Sequence, residues 1–328
     1  MKSIIYQQLQ ELDALKLNFG NNGSMILNVV LCFIMFGVAL GIRPQQFKTA
    51  IHHPRSVIAG LLSQWVLLPA VTFLFVYLLK NHLTVTVALG AILVASCPGG
   101  NVSNFISSLS RGNIELSVSL TAITTVCAVF ITPANFSFWG NLFAGTTGLV
   151  KPIYVPISSV LETLILILGI PLVLGLFFSW KLPNIAKKIA KPIQKISILC
   201  FMAIVILAFV ANFEYFVKYI KFIFIIVLLQ NALAYLTGWS VATIAKTNSR
   251  DRRTITIETG IQNSGLALML IFNPSIFPPE TPIGGMAFIA SWWGVWHIVA
   301  GLCIATFWNF KRVKNFRAYK NRSLAYKN

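Results

Sequence analysis

Glu258 stands inside a long apolar stretch of the chain. A charge at the centre of a membrane-inserted helix costs about 2.5 to 3.5 kcal/mol even on insertion scales, so something must compensate it. No Lys or Arg falls in the central part of any apolar stretch, which leaves a bound cation or a proton rather than a salt bridge. Other apolar stretches supply neutral oxygens: Gln64, then Ser103 and Asn104, then Ser117 and Thr121 at i, i+4 spacing. Carboxylate, amide, hydroxyl and carbonyl oxygens suit a hard monovalent cation, whereas a softer metal calls for Cys or His. Sodium is the natural candidate. Any one of these hydroxyls could instead serve helix packing; their gathering about one carboxylate carries the reading. Glu162 lies near the end of its stretch, within reach of water, and is read as solvated or structural.

The elements that must hold these residues are membrane helices. Of the 328 residues 56% are hydrophobic and 10% charged, and the mean hydropathy is +0.77; a soluble domain carries about 25% charged residues. A span needs about 20 mostly apolar residues, and such runs fall at about 25–42, 56–79, 85–109, 113–134, 157–179, 193–213, 220–244, 255–272 and 284–308. The sequence therefore predicts an all-α membrane protein of about nine transmembrane helices. The runs are too long, and too rich in Gly and Pro, for porin strands. Residues 1–24 form an N-terminal segment before the first span, 25–310 one transmembrane domain, and 311–328 a basic tail. The weakly amphipathic pattern of Ile4, Ile5, Leu9, Leu12 and Leu15 predicts an interfacial helix on the outer surface.

Two spans are interrupted near their middles, at Ser96-Cys97-Pro98-Gly99-Gly100-Asn101-Val102-Ser103-Asn104 and at Glu258-Thr259-Gly260-Ile261-Gln262-Asn263-Ser264-Gly265. Each sits next to last in its half of the chain, the first half having four spans and the second five. Interrupted helices at matching positions of two halves are the sequence pointer to a transporter's binding site, because the opened backbone frees carbonyls and amides there.

The net charge of +18 is arranged by side. Lys and Arg concentrate in alternate joints and in the tail from Lys311 to Lys327, with Lys2, Lys16, Lys80, Lys151, Lys218 and Lys221 on the opposite side. That bias predicts an outside N-terminus and a cytoplasmic C-terminus. The basic tail beside the final span suits anionic lipid headgroups, and the charge is not read as a nucleic-acid surface. Cys32, Cys97, Cys127, Cys200 and Cys303 all fall inside spans without a CxxC pair and are read as packing residues. Residues 1–24 lack the pattern of a signal peptide. No HExxH, Walker A or GxSxG motif points to an enzyme. His52, His53 and His82 lie in joints, and His297 lies within a span.

The blocks Cys97-Pro98-Gly99-Gly100, Ser103-Asn104, Leu116-Ser117-Val118, Thr121, Glu258, Gln262-Asn263-Ser264-Gly265-Leu266-Ala267 and Trp296-His297 resemble the bile acid:sodium symporter family over about residues 25–310. The resemblance implies two inverted repeats, the first lacking one helix, with two broken crossing helices and panel and core parts that move against each other. It implies one sodium site at Ser103, Asn104, Ser117, Thr121 and Glu258. A second is implied at Gln64, Glu258, Gln262 and the backbone of Thr259 and Ile261. Substrate contacts are implied at Asn101, Asn263, His297 and Ile298. Asn101 and Ile298 depart from the family's usual residues, so sodium coupling of a small organic anion is carried over and bile acid as its substrate is not. An efflux or proton-coupled carrier, or a receptor that kept the fold, stays open as an alternative.

In a cysteine-free background, a cysteine placed in 180–192 or after 311 is expected to react with an impermeant thiol reagent only from the cytoplasmic side, and one in 137–150 only from outside. Reversed labelling would overturn the orientation.

Overall fold

A computed structural model describes residues 4–13, 23–42, 54–100, 102–147, 157–211, 213–273, 276–278 and 280–325. It contains helices α1 (Ile4–Asp13), α2 (Gly23–Gly41), α3 (Pro54–Leu78), α4 (Val85–Ser96), α5 (Val102–Leu109) and α6 (Ile114–Gly145). The second half of the chain gives α7 (Ile157–Lys181), α8 (Pro183–Ala211), α9 (Phe213–Ile244), α10 (Ser249–Gly260), α11 (Ser264–Ile271) and α12 (Gly284–Ala325). Among the described residues no strand forms beyond one isolated bridge. Five helices, Pro54–Leu78, Ile114–Gly145, Ile157–Lys181, Val217–Ile244 and Gly284–Asn309, are long and apolar enough to cross a bilayer. The protein is an all-helical integral membrane protein.

Several helices outrun the apolar runs that foretold them. The run ending near 134 continues as helix to Gly145, because Pro133 is accommodated inside α6. The basic residues before 193 are already helical in α8, α9 starts at Phe213 rather than near 220, and α12 extends to Ala325, so the tail continues the last helix. Hydropathy marks where a helix meets lipid, and a helix keeps its hydrogen bonds beyond that point.

Two spans do break. α4 ends at Ser96 because Pro98 pushes Cys97 out of the helical region, to φ −76° and ψ 155°. α10 ends at Gly260, and α11 starts where the Asn263 Oδ1 accepts from the Leu266 N–H at 3.1 Å. The two unwound segments cross antiparallel, with Gly99 opposite Gln262. The Gly100 N–H donates to the Ile261 carbonyl at 3.0 Å and the Asn263 N–H to the Pro98 carbonyl at 2.8 Å. Each break thus satisfies peptide groups of the other.

Every residue of α4 is buried. Around it pack α3, α6 and α12, and α9 lies along α10; α2 packs on α7 and α8. A five-residue π-turn interrupts α3 at Ser63–Leu67 and another interrupts α7 at Ile165–Gly169. A proline follows each, Pro69 and Pro171, and removes the donor for the carbonyl four residues back. Asn135 Nδ2 donates to the freed Trp65 carbonyl at 2.8 Å, and the Cys32 thiol reaches that of Ile167 at 3.6 Å.

The expectation that residues 4–15 lie on the membrane surface is corrected in part. α1 docks on protein instead, at the starts of α4, α9 and α12, with Leu9 and Leu12 fully buried. Lys218 Nζ and the Tyr219 hydroxyl both donate to Glu11 Oε2 at 2.7 Å, which holds the Glu11 carboxyl below its ordinary range. Asp13 Oδ1 accepts from Thr84 at 2.9 Å and from Thr86. At Gly285 an added Cβ would lie 2.7 Å from that same oxygen, so glycine is needed for the close approach.

Burial raises the Asp13 pKa to about 6, against the opposing hydrogen bonds from Thr86 and Thr84. Because the docked value lies above the ordinary one, docking is strongest where the free carboxyl is protonated and weakens as pH rises through about 6. Asp13→Asn keeps the accepting oxygen without the charge. Hydrogen exchange of the α1 amides, corrected for intrinsic rates, is expected to show protection falling between about pH 4 and 6 and level above about pH 7 in the parent, and staying flat in the variant.

Candidate functional site

Four elements converge on Glu258, which is fully buried near the end of α10. α5 brings Ser103, whose hydroxyl donates to Oε1 at 2.6 Å. α6 brings Ser117, which donates to the same oxygen, and Thr121, which donates to Oε2 at 3.0 Å. The i, i+4 spacing puts these two hydroxyls on one face of α6. Thr121 also lies 3.4 Å from Ser103 Oγ and from Asn104 Oδ1. Ser103, Asn104, Ser117, Thr121 and Glu258 are therefore one cluster, as the sequence led us to expect. No ion pair to Glu258 is present among the described residues.

On the other side of the carboxylate α3 brings Gln64 from within its π-turn. Such turns displace side chains from the regular helical register and are frequent at functional sites. Gln64 is 2% exposed, and neither Oε1 nor Nε2 has a hydrogen-bond partner. A buried unpaired amide costs about 1 to 3 kcal/mol for each group left unsatisfied. A Cβ built on Gly99 would lie 3.0 Å from Glu258 Oε2, 3.1 Å from Gln64 Oε1 and 3.6 Å from the Glu258 carbonyl. Three oxygens thus face one small space that a glycine keeps open. Gln262 donates from Nε2 to the Thr259 carbonyl at 2.8 Å, which leaves its buried Oε1 unpartnered. The Thr259 carbonyl accepts that bond and the Ile261 carbonyl accepts from Gly100, and each keeps a second lone pair.

The donor set fits a hard monovalent cation: a carboxylate, hydroxyls, amide oxygens and carbonyls. No group of three or more His, Cys, Asp or Glu forms a transition-metal cluster among the described residues.

Sequence reasoning named only the backbone of Thr259 and missed its side chain, Ser63 and Asn231 as supports. Ser63 and Thr259 join α3 to α10 by a hydroxyl pair at 2.6 Å, and Asn231 Nδ2 donates to the Gly260 carbonyl at 2.8 Å. Gly99 was visible only as part of a helix break. Polar residues within the runs were a signal for the first three, and the crossing geometry that gives Gly99 its role had none.

The expected substrate residues are spread out. Asn101 lies outside the described residues. Asn263 uses its Oδ1 to cap α11. His297 is 5% exposed with Nδ1 unpartnered, its ring edge-on to Trp293, and Ile298 follows it on α12. None of these three lines the crevice beside the first cluster. That crevice, of about 220 Å³, lies between α2 and α8 on one side and α5 and α6 on the other. Val38, Gly41, Asn104, Thr121, Thr125 and Gln194 contribute to its walls.

Comparison with known proteins places this site in a family. Residues 28–219 match the profile of the Sodium Bile acid symporter family, more than half of the chain. The chain belongs to that family. It is 32% identical over 92% of its length to the uncharacterized sodium-dependent transporter YocS of Bacillus subtilis (strain 168), covering 88% of that protein. It is 29% identical to the human hepatic sodium/bile acid cotransporter over 90% of this chain and 84% of that one. It is 30% identical to the mouse P3 protein over 77% of this chain, which spans about half, 52%, of that longer protein. The first two relatives are named as transporters rather than enzymes, and their names make sodium the coupling ion at the level of the family.

Gly99→Ala fills the space between Glu258 and Gln64 without removing a polar group. With purified protein titrated with sodium chloride against choline chloride and followed by thermal shift, the sodium midpoint is expected to rise at least about tenfold, a loss of about 1.4 kcal/mol.

Proposed function

We propose that the protein is a sodium-coupled symporter of a small organic anion working by alternating access. The observation that carries the reading is Gln64: a buried amide with no hydrogen-bond partner, facing a buried carboxylate that forms no ion pair among the described residues. One sodium ion is held by Ser103, Asn104, Ser117, Thr121 and Glu258, and a second by Gln64, Glu258, Gln262 and the Thr259 and Ile261 carbonyls. Two cations against one carboxylate leave positive charge at the crossing, which favours an anionic partner. The starts of α5 and α11 add the positive ends of two half-helix dipoles.

The packing of α2 with α7 and α8, a group that meets the helices around α4 through α6 and α7, supports panel and core parts with the crevice between them. Within that reading the two crossed spans belong to inverted repeats, the first short of one helix. With an outside N-terminus and a cytoplasmic C-terminus, in a bacterial plasma membrane, the crevice opens toward the cytoplasm, since α2 ends and α6 begins there. Asn101, Asn263, His297 and Ile298 then serve substrate. The crevice of about 220 Å³ falls below the usual range of drug-sized sites and favours a small acid over a steroid conjugate. Anionic headgroups accompany the basic end of α12.

Small keto acids, pantothenate-like acids and steroid conjugates can be screened by thermal shift with and without sodium. A ligand at about 100 times its Kd stabilises the carrier by about 2.7 kcal/mol. For the acid so found, uptake into proteoliposomes is expected to require sodium and resist a protonophore. Glu258→Ala is expected to abolish it, while Gln64→Ala and Thr121→Ala each raise the sodium needed. With two ions per monoanion, an inside-negative potential set by valinomycin accelerates uptake. Accumulation driven by sodium in Glu258→Ala would sink the shared-site assignment.

A further inference from the structure

A second buried carboxylate lies seven residues before Glu258 on α10. Asp251 is 2% exposed, and no ion pair reaches it among the described residues. Its Oδ2 accepts from the Ser56 hydroxyl at 2.6 Å and its Oδ1 from Asn113 Nδ2 at 2.8 Å. Asn248 caps α10 at the same place, accepting from the Asp251 N–H at 2.9 Å. Thr254, the next residue on that face, accepts from the Asn113 N–H at 2.8 Å and donates to the Asn113 carbonyl at 3.0 Å. The turn before Asn113 is fitted to this contact. Arg111 takes a φ of 55°, and a Cβ on Gly112 would lie 2.5 Å from Thr254 Oγ1.

The three elements joined here are three of the four helices that carry the proposed cation ligands deeper in the core, α5 being the fourth. Ser56 is on α3, eight residues before Gln64. Asn113 caps α6, four residues before Ser117 and eight before Thr121, with its Oδ1 accepting from the Leu116 N–H at 3.1 Å. Asp251 is on α10, about 10 Å of helix rise from Glu258. Helices transmit axial position with little slack, so fixing three of them at one end fixes the separation of their ligands two turns on.

We propose that Asp251 is a positioning residue for sodium binding: its carboxylate fastens the starts of α3, α6 and α10 and so sets the distances among Gln64, Ser117, Thr121 and Glu258 without touching an ion. Hydrogen bonds to an ionised acceptor are about twice as strong as neutral ones, which suits a joint that must hold while the two parts of a carrier move. The inference rests on the sodium reading given above.

The pair can be inverted without moving an atom. In Asn113→Asp with Asp251→Asn, residue 251 accepts from Ser56 through its amide oxygen and donates through its amide nitrogen to residue 113. Residue 113 keeps a carboxylate oxygen for the Leu116 N–H. The experiment is the sodium chloride titration against choline chloride on purified full-length protein, followed by thermal shift. The midpoint of the titration is read separately from the melting temperature without sodium, so a general loss of stability does not mimic the effect.

Asp251→Asn alone is expected to raise the sodium midpoint about tenfold or more, the scale of losses when a residue that orients metal ligands is removed. Ser56→Ala, which removes one bond and keeps the charge, is expected to give a smaller rise and serves if Asp251→Asn does not fold. The inverted pair is expected to return the midpoint to within about threefold of the parent. An unchanged midpoint in Asp251→Asn, or in Ser56→Ala where only that variant folds, would overturn the proposal, as would an inverted pair no better than the single variant. Glu258→Ala separates the two readings. If it loses sodium-dependent stabilisation while Asp251→Asn keeps it, only the positioning role is wrong; if it keeps it, the sodium sites themselves are wrong.

Discussion

Inside a bilayer every peptide group must find its partner within the protein, since water is not there to serve as one. A helix opened in that layer is therefore an expense that must be met locally. Here two helices open at the same place and cross, so that the Gly100 and Asn263 amides bond the Ile261 and Pro98 carbonyls of the opposite segment. The crossing fixes the relative heights of α4, α5, α10 and α11. It brings Ser103, just past one break, to Glu258, just before the other. Without that bridge the carboxylate would have neither its donors nor the small space at Gly99.

The same constraint explains the helices on either side. A π-turn followed by proline frees a carbonyl in α3 and in α7, and in both a side chain from the adjoining helix takes it up. In α3 that local rewinding is what presents Gln64 to Glu258. Gln64 and Gln262 thus sit where the regular hydrogen-bond ladder is interrupted. The firmly wound parts, above all the wholly buried α4, hold those places in register.

Much of this was legible in the chain. The buried Glu258, the polar runs at 96–104 and 258–265 and the i, i+4 pair Ser117 and Thr121 are departures from apolar monotony, and in membrane helices such departures are conspicuous. What was hidden has a common cause. The ends of α6, α8, α9 and α12 continue past the apolar run, and hydropathy does not see a helix once it leaves lipid. α1 carries an amphipathic pattern that fits a lipid surface as well as a protein groove, and only the Glu11 and Asp13 contacts decide between them. The π-turns leave no residue signature beyond the proline after them. Asp251 sits among Arg250, Arg252 and Arg253, where a sequence reader assigns it to a solvated charged joint; the structure buries it against Ser56 and Asn113 instead.

A shared carboxylate also determines how the two proposed ions act on each other. Ser103, Ser117 and Thr121 turn their hydroxyl hydrogens toward Glu258, and these three donors stabilise the buried charge. A cation among the same oxygens requires the hydroxyls to turn their lone pairs inward, so the carboxylate exchanges three dipoles for one full charge. The exchange keeps the anion compensated at each stage, which limits the barrier to binding and release. It also orders the cluster, because oxygens around a cation are held from several helices at once. An ion in the first cluster draws on the carboxylate oxygen that faces Gln64, so the second space is formed on a group already fixed in place. For the proposed two-ion loading, coupling between the ions would come from lowered ordering cost at Glu258, offset by their mutual repulsion, and an anionic substrate would tip that balance toward the fully loaded state.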